Sequence, residues 1–278
     1  MPELPEVEVI KRGLLKHLPG RKVLEIAASN KKLRLPMPRK NLKKYVLGVR
    51  FKSVDRRAKF LLLTMDNGAT MIVHLGMTGR LGIFPADVPR TKHDHLRLQL
   101  DNSMQLRFND IRRFGFIQIL EPGQSLGGTM LDKLGPEPLG SDFTPKHLHK
   151  NAATKSRPLK NFLMDNHIVV GIGNIYACEI LFHACLKPTK KVSSLTIREW
   201  GRVVESSRYV LQKAIESGGT TISDFVNESG KSGYFQLKLQ VYGRQGKPCN
   251  ICSTPITKKT MAGRSTFFCT QCQKRSNR

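Results

Sequence analysis

Residues 249–272 of this chain read CNICSTPITKKTMAGRSTFFCTQC. The stretch holds two CxxC pairs, Cys249 with Cys252 and Cys269 with Cys272, and this spacing is typical of a four-thiolate zinc site on a β-hairpin. A segment of this length cannot build a large core, so the free energy of metal binding would become free energy of folding. Because four thiolates leave no open coordination position, we predict one Zn²⁺ with a structural role.

The chain around this segment is strongly basic. Its 278 residues include 47 Lys and Arg against 21 Asp and Glu, a formal net charge of +26 at pH 7. The basic residues are spread along the whole chain, which predicts an extended positive face on a folded surface. Such a face binds a polyanion, and the distribution favours nucleic acid over a membrane.

The sequence carries no signal for a membrane or for secretion. No apolar run approaches the roughly 18 to 20 residues needed to span a bilayer. The N-terminus has Glu3, Glu6 and Glu8 where a secretory segment would have lysines and an apolar core. We therefore expect an intracellular protein without membrane association, in which the cysteines do not form disulfides.

The first residues, MPELPEVEVIKRGLLKHL (1–18), predict a helix. Pro5 suits the first helical turn, and Glu6 and Glu8 lie where the helix dipole favours negative charge. Pro19 and Gly20 should end the helix. Its apolar stripe consists of Val7, Ile10, Leu14 and Leu18.

From about residue 22 to residue 120 the pattern changes to short β-like runs separated by turn residues such as Asp66-Asn67-Gly68. Regular spacing of this kind predicts a two-layer β-sandwich and not βαβ units. The clearest runs are 22–26, 60–65, 70–75, 95–100 and 115–120.

A Gly/Pro-rich stretch at 121–140 separates the strands from a helical region. The longest helix there should begin at a capping box of Thr196 and Glu199 and stop at Gly218-Gly219. We predict an α+β protein of four parts: an N-terminal helix and β-sandwich domain (1–125), a linker (126–145), a helical domain (146–235) and the zinc hairpin (236–278).

A glycine-rich turn, Gly171-Ile172-Gly173-Asn174, leads into one of the predicted helices. Glycines let a backbone approach a ligand closely, Asn174 is a good N-cap, and the N–H groups of a helix N-terminus bind phosphate oxygens. The motif alone is weak, because a tight turn in a helical hairpin explains it equally well.

The N-terminus is itself a candidate reagent. Removal of Met1 would free the secondary amine of Pro2, next to Glu3 as a candidate general acid or base. The positive end of the following helix would disfavour the protonated amine, and a prolyl amine can condense with a carbonyl carbon to an iminium. An ordinary solvated terminus is the alternative explanation.

Several motifs occur together, in order, over nearly the whole chain. They are MPELPEVE (1–8), HLGMTGRL (74–81), NDIRRFG (109–115), LMDNHIVVGIGNIYACEILF (163–182) and the segment QVYGRQGKPCNIC (240–252) with TFFCTQCQ (266–273). In this combination the chain resembles the bacterial formamidopyrimidine-DNA glycosylase family. The resemblance implies a helix-two-turn-helix fold for the helical domain and a C-terminal β-hairpin zinc ribbon.

The resemblance also implies a bifunctional DNA repair enzyme that excises oxidised purines, chiefly 8-oxoguanine and formamidopyrimidines, and then cuts the strand. By the same motif match, Pro2 attacks the sugar C1′ and Glu3 transfers protons. Lys59 in RRAKF contacts the lesion nucleotide and assists elimination, and Arg264 in AGRST grips the flanking phosphates. No redox or nucleotide cofactor is needed for this chemistry.

Further residues match positions expected to touch DNA. Met77, Arg112 and Phe114 correspond to side chains that fill the gap left by an extruded base, with Arg112 reading the unpaired cytosine. On spacing alone, Met77 and Phe114 could be core residues and Arg112 a surface ion-pair partner. Backbone contacts are expected from His74, His93, Lys155 and Asn174, the two histidines as neutral hydrogen-bond donors.

The resemblance predicts damaged double-stranded DNA as the partner of a monomeric enzyme in the bacterial cytoplasm, associated with the nucleoid through DNA binding. By the resemblance, a loop at 226–235 covers the extruded base, and a solvated connector is the alternative explanation of this segment. Two positions depart from the family pattern: Cys178 stands where aspartate is frequent, and Ile111 where proline is frequent. Cys178 and Cys185 are interpreted as helix-packing residues outside the zinc site.

Two other functions remain open from the sequence. The endonuclease VIII branch of the superfamily prefers oxidised pyrimidines, and Leu4, Val7 and Met77 argue against it. A zinc-ribbon protein that binds damaged DNA without catalysis is the second alternative, and it would need Pro2 to be blocked or idle.

Overall fold

The computed structural model of the chain describes residues 2–218 and 239–274. They divide into two compact units, and each is considered by itself. The N-terminal unit comprises the described residues up to Asp132 together with Gly218. The C-terminal unit comprises Lys133–Ser217 together with the described residues from 239 onward.

The chain opens with helix α1 (Leu4–Leu15), as the sequence predicts. Glu3 is the N-cap residue and forms a capping box with Glu6. The two side chains accept from backbone N–H groups of the buried helix start, which therefore need no bond to water. The helix ends before the predicted stop at Pro19, and the next residues form a turn that still buries Leu18. The apolar stripe predicted from the sequence faces the core of this unit.

Two four-stranded antiparallel sheets follow α1. The first sheet has the order β1 (Val23–Ala28), β6 (Asp94–Leu100), β7 (Met104–Asp110) and β5 (Gly79–Pro85). The second has the order β2 (Phe51–Arg57), β3 (Phe60–Met65), β4 (Thr70–His74) and β8 (Phe116–Leu120). A short helix, α2 (Arg39–Tyr45), lies between β1 and β2 in sequence.

The inner faces of both sheets contribute to one apolar core, which is the arrangement of a sandwich. Strand β7 supplies Leu106 and Phe108 to it, and strand β3 supplies Leu61 and Leu63. Along β6, Leu96, Leu98 and Leu100 are buried and the residues between them are half-buried, as a period-two strand requires, whereas β2 has a register irregularity between Phe51 and Ser53. The predicted two-layer β-sandwich is therefore confirmed.

The C-terminal unit is helical and carries one hairpin. Its long helix begins at the predicted capping box, in which the Glu199 N–H donates to Thr196 Oγ1 at 3.2 Å and the Thr196 N–H donates to Glu199 Oε2 at 3.0 Å. Trp200 is fully buried and its ring lies 5.4 Å from that of Phe162. The helices are α3 (Pro145–Ala152), α4 (Leu159–Leu163), α5 (Asn174–His183) and α6 (Ile197–Glu216), with a 3₁₀ turn at Val192–Ser194.

The predicted β-hairpin of the cysteine segment is present. Strands β9 (Thr257–Met261) and β10 (Arg264–Phe268) pair antiparallel, with Arg264 opposite Met261. Ala262 and Gly263 form the tip at φ +46° and +70°, so the turn uses the left-handed region that suits glycine. With this hairpin, the sandwich and the helices, the predicted α+β fold class is confirmed.

The domain limits at residues 125, 145 and 235 stay predictions. The loop expected at 226–235 lies outside the described residues. Within residues 2–218 and 239–274, no helix has both the length and the apolar character that crossing a bilayer demands.

Candidate active site

Pro2 stands directly ahead of the α1 N-terminus and is half-buried. Glu3 is 1% exposed, and its backbone N–H donates to Glu6 Oε2 at 2.8 Å. The capping box fixes the direction in which the chain enters the helix. As a result, residue 2 is held beside the positive end of the helix dipole, where a cationic group is disfavoured.

A buried ion pair connects α1 to the turn that carries Lys59. Arg56 Nε donates to Glu8 Oε2 at 2.8 Å, and the two side chains are only 10% and 12% exposed. The Arg56 guanidinium also donates to the Ala58 carbonyl at 2.9 Å. Burial alone would raise the pKa of Glu8, but the hydrogen bond and charge of Arg56, together with Lys11 and Arg12, outweigh it and lower that pKa overall.

Lys59 occupies the second position of a two-residue turn between β2 and β3, where Arg57 pairs with Phe60. Ala58 precedes it at φ +55°, a conformation that costs about 1 kcal/mol for a residue with a Cβ. The bond from Arg56 to the Ala58 carbonyl holds this strained turn in place. The sequence match alone gave no indication that Glu8 and Arg56 position Lys59.

His74 ends strand β4 and packs against two aromatic rings, which also contact each other at 6.1 Å between centroids. Its ring centroid lies 4.9 Å from that of Phe60 and 5.5 Å from that of Phe116. The Gly76 N–H donates to His74 Nδ1 at 3.1 Å, so a neutral ring carries its proton on Nε2. Burial, then the charges of Lys59 and Arg34, lower the pKa of His74 to about 4.

The lowered pKa of His74 predicts a pH-dependent loss of stability. In the unfolded chain the imidazole takes up a proton near pH 6.5, whereas in the folded protein it stays neutral until about pH 4. Stability is therefore lost as pH falls through this window, by about 2 kcal/mol between about pH 8 and about pH 5. Urea unfolding of the native chain and of His74→Gln at both pH values measures it. An equal pH dependence in the variant would contradict the assignment.

Met77 and Phe114 are exposed at 41% and 45%, so the alternative that they are core residues is wrong. The Arg112 guanidinium lies 4.6 Å from the centre of the Phe114 ring. Met77 lies in the turn that connects β4 to β5, and the other two residues lie in the loop that connects β7 to β8. We refer to these two segments, 75–78 and 111–115, as the insertion turns.

His93 lies in the loop between β5 and β6, and its carbonyl accepts from the Asp110 N–H at 3.1 Å. The start of this loop is held by Arg107, which is buried and donates to the Val88 carbonyl at 2.6 Å and to the Pro89 carbonyl at 3.1 Å.

Arg34, which the sequence analysis did not identify, lies at the insertion turn 111–115. Its backbone N–H donates to the Gly115 carbonyl at 3.1 Å, and its charge acts on His74.

In the C-terminal unit, Arg264 is exposed at the hairpin tip and the next residue is anchored twice. The Ser265 carbonyl accepts from Asn174 Nδ2 at 3.0 Å and from Lys160 Nζ at 3.2 Å. Lys160 is fully buried and also donates to Thr266 Oγ1 at 2.7 Å. These bonds fix strand β10, and with it the backbone of Arg264, against helices α4 and α5.

The role predicted for Asn174 as an N-cap is wrong. Helix α5 begins at Asn174 with Gly173 as its N-cap, because the Asn174 side chain bonds to the hairpin instead. The glycine-rich turn nevertheless leads into a helix N-terminus, whose N–H groups can bind phosphate. Lys155 follows α3 and is half-buried, with Nζ 5.8 Å from the centre of the Phe162 ring.

The four cysteines of the hairpin lie together. Their Sγ atoms are within 4.8 Å of one another, with Cys252 3.4 Å from Cys269 and Cys249 3.8 Å from Cys272. A tetrahedral Zn²⁺ with Zn–S bonds of about 2.3 Å needs sulfur atoms about 3.8 Å apart, so the cluster fits this ion. All four positions offer a cysteine sulfur, and the predicted structural zinc site is confirmed by this geometry.

A buried carboxylate joins the zinc segment to helix α5. Glu179 is 4% exposed and accepts backbone N–H bonds of 2.8 to 3.0 Å from Gln240, Val241 and Tyr242. Cys178 beside it packs in the core of this segment, as predicted. The prediction that Cys185 packs against a helix is wrong, because Cys185 is exposed. It adopts φ +55° just after α5, where it ends the helix.

The predicted functional residues fall in both units. Pro2, Glu3, Lys59, His74, Met77, His93, Arg112 and Phe114 belong to the N-terminal unit, and Lys155, Asn174, Arg264 and the four cysteines to the C-terminal unit. Within the N-terminal unit, His74, Lys59 and the insertion turns lie at one end of the sheet β2-β3-β4-β8. Their roles in catalysis and DNA contact stay predictions.

Three protein families match successive parts of this chain. Residues 1–117 match the formamidopyrimidine-DNA glycosylase N-terminal domain, and residues 134–226 match the formamidopyrimidine-DNA glycosylase H2TH domain. Residues 246–275 match the zinc finger found in FPG and IleRS. The predicted resemblance therefore extends to all parts of the fold.

Individual relatives match over the full length. A formamidopyrimidine-DNA glycosylase of Escherichia coli is 46% identical over 274 residues, covering 99% of this chain and 100% of the relative. A Lactococcus lactis FPG variant in complex with Fapy-dG containing DNA is 34% identical, covers 99% of this chain and 100% of its own, and superposes with a TM-score of 0.88. The wild-type Lactococcus lactis protein with an oxidized pyrimidine containing DNA gives the same coverage and identity with a TM-score of 0.87. This chain therefore belongs to the formamidopyrimidine-DNA glycosylase family.

Proposed function

We propose that this protein is a bifunctional DNA glycosylase and abasic-site lyase of base excision repair, acting on oxidised purines in double-stranded DNA. The observation that carries the proposal is the full-length family match together with Pro2 directly ahead of the capped N-terminus of α1. A chain with 47 basic and 21 acidic residues has the charge such a partner requires. The relatives' solved structures contain damaged DNA, which supports the same partner here.

The proposed reaction begins at the amine of Pro2 after removal of Met1. Its nitrogen lone pair forms a bond to C1′ while the bond from C1′ to the damaged base breaks and the base takes up a proton. Opening of the sugar ring gives an iminium between Pro2 and C1′, which is an electron sink. The C2′ proton then becomes acidic, and its loss expels the 3′-phosphate; a second elimination expels the 5′-phosphate.

Three other residues are proposed to transfer protons or to stabilise negative charge in these steps. Glu3 transfers protons at the sugar, which suits a carboxylate next to Pro2. The bonds from Arg56 to Glu8 and to the Ala58 carbonyl hold the turn that carries Lys59. From this turn Lys59 offers its positive charge to the first leaving phosphate. Arg264 offers a guanidinium to the flanking phosphates and assists the second elimination.

Reaching the damaged base requires it to leave the stack, which costs a few kcal/mol. We propose that Met77 and Phe114 fill the gap and that Arg112 hydrogen-bonds the unpaired cytosine. Their exposure and the stacking of Arg112 on Phe114 support this, since buried residues could not enter DNA. His74 then donates from Nε2 to the backbone as a neutral ring.

The remaining proposals concern further DNA contacts, the oligomeric state, the location of the enzyme and the role of zinc. We propose that His93, Lys155 and Asn174 contact the DNA backbone, and that the protein acts as a monomer in the bacterial cytoplasm. Zn²⁺ is held by Cys249, Cys252, Cys269 and Cys272, and it supplies stability to the hairpin that carries Arg264. The proposed chemistry needs no nucleotide cofactor.

One observation favours a wider range of lesions. The relative from Lactococcus lactis was solved with DNA that contains an oxidized pyrimidine, at 34% identity to this chain. The second candidate function is therefore excision of oxidised pyrimidines as well as purines by the same residues.

The lesion preference is tested by single-turnover excision from two duplexes that differ only in the lesion, 8-oxoguanine opposite cytosine or thymine glycol opposite adenine. We expect faster excision of 8-oxoguanine, by about 10-fold or more, because a site built to hydrogen-bond one base discriminates by at least this factor. Equal rates would favour the wider range. Binding of both duplexes without release of either base would leave only the non-catalytic alternative.

A further inference from the structure

A buried carboxylate lies between the two insertion turns. Asp110 ends strand β7 and is 0% exposed, yet among the described residues the donors that reach its carboxylate carry no formal charge. Thr78 Oγ1 donates to Oδ1 at 2.6 Å, and the Arg112 backbone N–H donates to the same oxygen at 3.2 Å. A buried carboxylate is costly unless such bonds satisfy it, so its place here requires an explanation.

The second carboxylate oxygen holds the far end of the loop. The Gly115 N–H donates to Asp110 Oδ2 at 2.8 Å. Between these two anchors Arg113 adopts φ +57°, in the left-handed region that disfavours a residue with a Cβ. The loop 111–114 is thus pinned at both ends by one side chain, and its strained centre presents Arg112 and Phe114 outward.

Thr78 links this loop to the turn that carries Met77. Its hydroxyl donates to Asp110 and accepts from the Arg112 N–H at 3.1 Å, so it uses both of its hydrogen-bonding functions on the other turn. The backbones also touch there, since a Cβ on Gly76 would lie 2.4 Å from the Gly115 nitrogen. The two insertion turns are therefore joined to each other through the Asp110 carboxylate.

The backbone of Asp110 extends the connection to the first sheet. Its N–H donates to the His93 carbonyl, and its carbonyl accepts from His95 Nε2 at 2.9 Å. His95 must therefore carry a proton on Nε2, and Ser29 Oγ lies 2.9 Å from its Nδ1. The residue that joins the insertion turns is itself fixed to the sandwich.

We propose that Asp110 and Thr78 are positioning residues that preset Met77, Arg112 and Phe114 for entry into the DNA stack. The inference rests on the proposed function and adds to it the device that holds the three side chains. Because both turns share one acceptor, the three side chains enter DNA together and lose little conformational freedom on doing so. Neither residue touches the reacting sugar in this account.

The first experiment compares Thr78→Val with Thr64→Val. The substitution at Thr64 removes a hydroxyl that lies 3.4 Å from Thr70 Oγ1 within the same sandwich, away from the insertion turns, and is a matched control. Single-turnover rates are measured on a duplex with 8-oxoguanine, whose base must be extruded at a cost of a few kcal/mol, and on one with an abasic site, where the side chains enter a gap that is already open. We expect Thr78→Val to slow excision of 8-oxoguanine about 10-fold relative to strand cleavage at the abasic site.

The ratio of the two rates separates positioning from folding. Partial unfolding lowers both rates by the same factor and leaves their ratio unchanged. A native ratio in Thr78→Val therefore contradicts the proposal. Thr78→Ser keeps the hydroxyl and should restore the native ratio. If the native chain releases no base at all, the proposed function fails and not the positioning account; if the native chain is active and Thr78→Val equals Thr64→Val, the positioning account fails.

A second variant, Asp110→Asn, tests the carboxylate itself. The amide nitrogen that replaces one oxygen cannot accept from the Gly115 or Arg112 N–H, so one anchor is lost while the size of the side chain is kept. Fluorescence of 2-aminopurine placed next to the cytosine that faces an abasic-site analogue reports on the filled stack. We expect the native chain and Thr64→Val to give the same signal and Asp110→Asn to lose it; a native signal from Asp110→Asn overturns the proposal.

Discussion

A chain with an uncleaved N-terminal tag ahead of Pro2 loses base excision and strand cleavage by roughly 10³-fold or more, whereas it still binds DNA. An amide nitrogen has no available lone pair, so residue 2 can no longer form a bond to C1′. The basic residues and the zinc hairpin are unchanged by the tag, and DNA affinity should therefore remain. Gel assays of excision and a filter-binding titration of the same preparation measure the two quantities.

The control for this prediction carries the same tag at the C-terminus. It has the same added mass and leaves Pro2 free after removal of Met1, so its excision rate should equal that of the untagged chain. If the N-terminally tagged protein cleaves DNA as fast as this control, the nucleophile is another residue. The geometry around Pro2, with a capped helix start and a buried Glu3, would then have a structural role only.

Replacement of Cys252 by serine is expected to release the zinc and to change the products of strand cleavage. Binding of a structural Zn²⁺ contributes about 10 to 16 kcal/mol to such small modules, far more than the hairpin gains from its few buried residues. Without the ion, Arg264 loses the strand that holds it. The second elimination should then slow by about 10² or more, so products that keep the sugar remnant at the 3′ end accumulate.

The matched control is Cys185→Ser, because Cys185 is exposed and lies outside the zinc cluster. It should retain one zinc per chain, measured by atomic emission, and the native pattern of products on a sequencing gel. A Cys252→Ser protein that binds no zinc but still completes both eliminations at the native rate would show that the second elimination does not depend on the zinc.

Local signals in the sequence were sufficient for several parts of the fold. Pro5 and the acidic first turn predict α1, Thr196 with Glu199 predicts the start of α6, and the CxxC pairs predict the zinc hairpin. Each depends on residues close together in the chain. The two-layer sandwich was predictable because its turns recur at regular spacing.

Other elements gave no clear local signal. Strand β2 has the sequence FKSVDRR, and its charged residues hide the strand pattern, since Arg56 finds its partner in Glu8, 48 residues away. Helix α2 buries only Leu42, so its sequence RKNLKKY reads as a polar segment. The partners that stabilise both elements lie elsewhere in the chain, where no pattern within a short window can reveal them.

The candidate site shows the same limit. The residues that would contact DNA could be named by motif, but the residues that hold them could not. Asp110 bonds to Thr78 across 32 positions, and Lys160 bonds to Thr266 across 106. These pairs exist only after the strands and helices have packed, and Asn174 was misassigned as an N-cap for the same reason.

The central claim is that the amine of residue 2 bonds to the sugar of the damaged nucleotide. Borohydride reduction during reaction of the untagged chain with an 8-oxoguanine duplex should trap this bond, and digestion with mass spectrometry should identify the modified residue. We predict one adduct, on the N-terminal peptide that begins at Pro2. Strand cleavage without any trapped adduct, or an adduct on Lys59 or another lysine, would contradict the account.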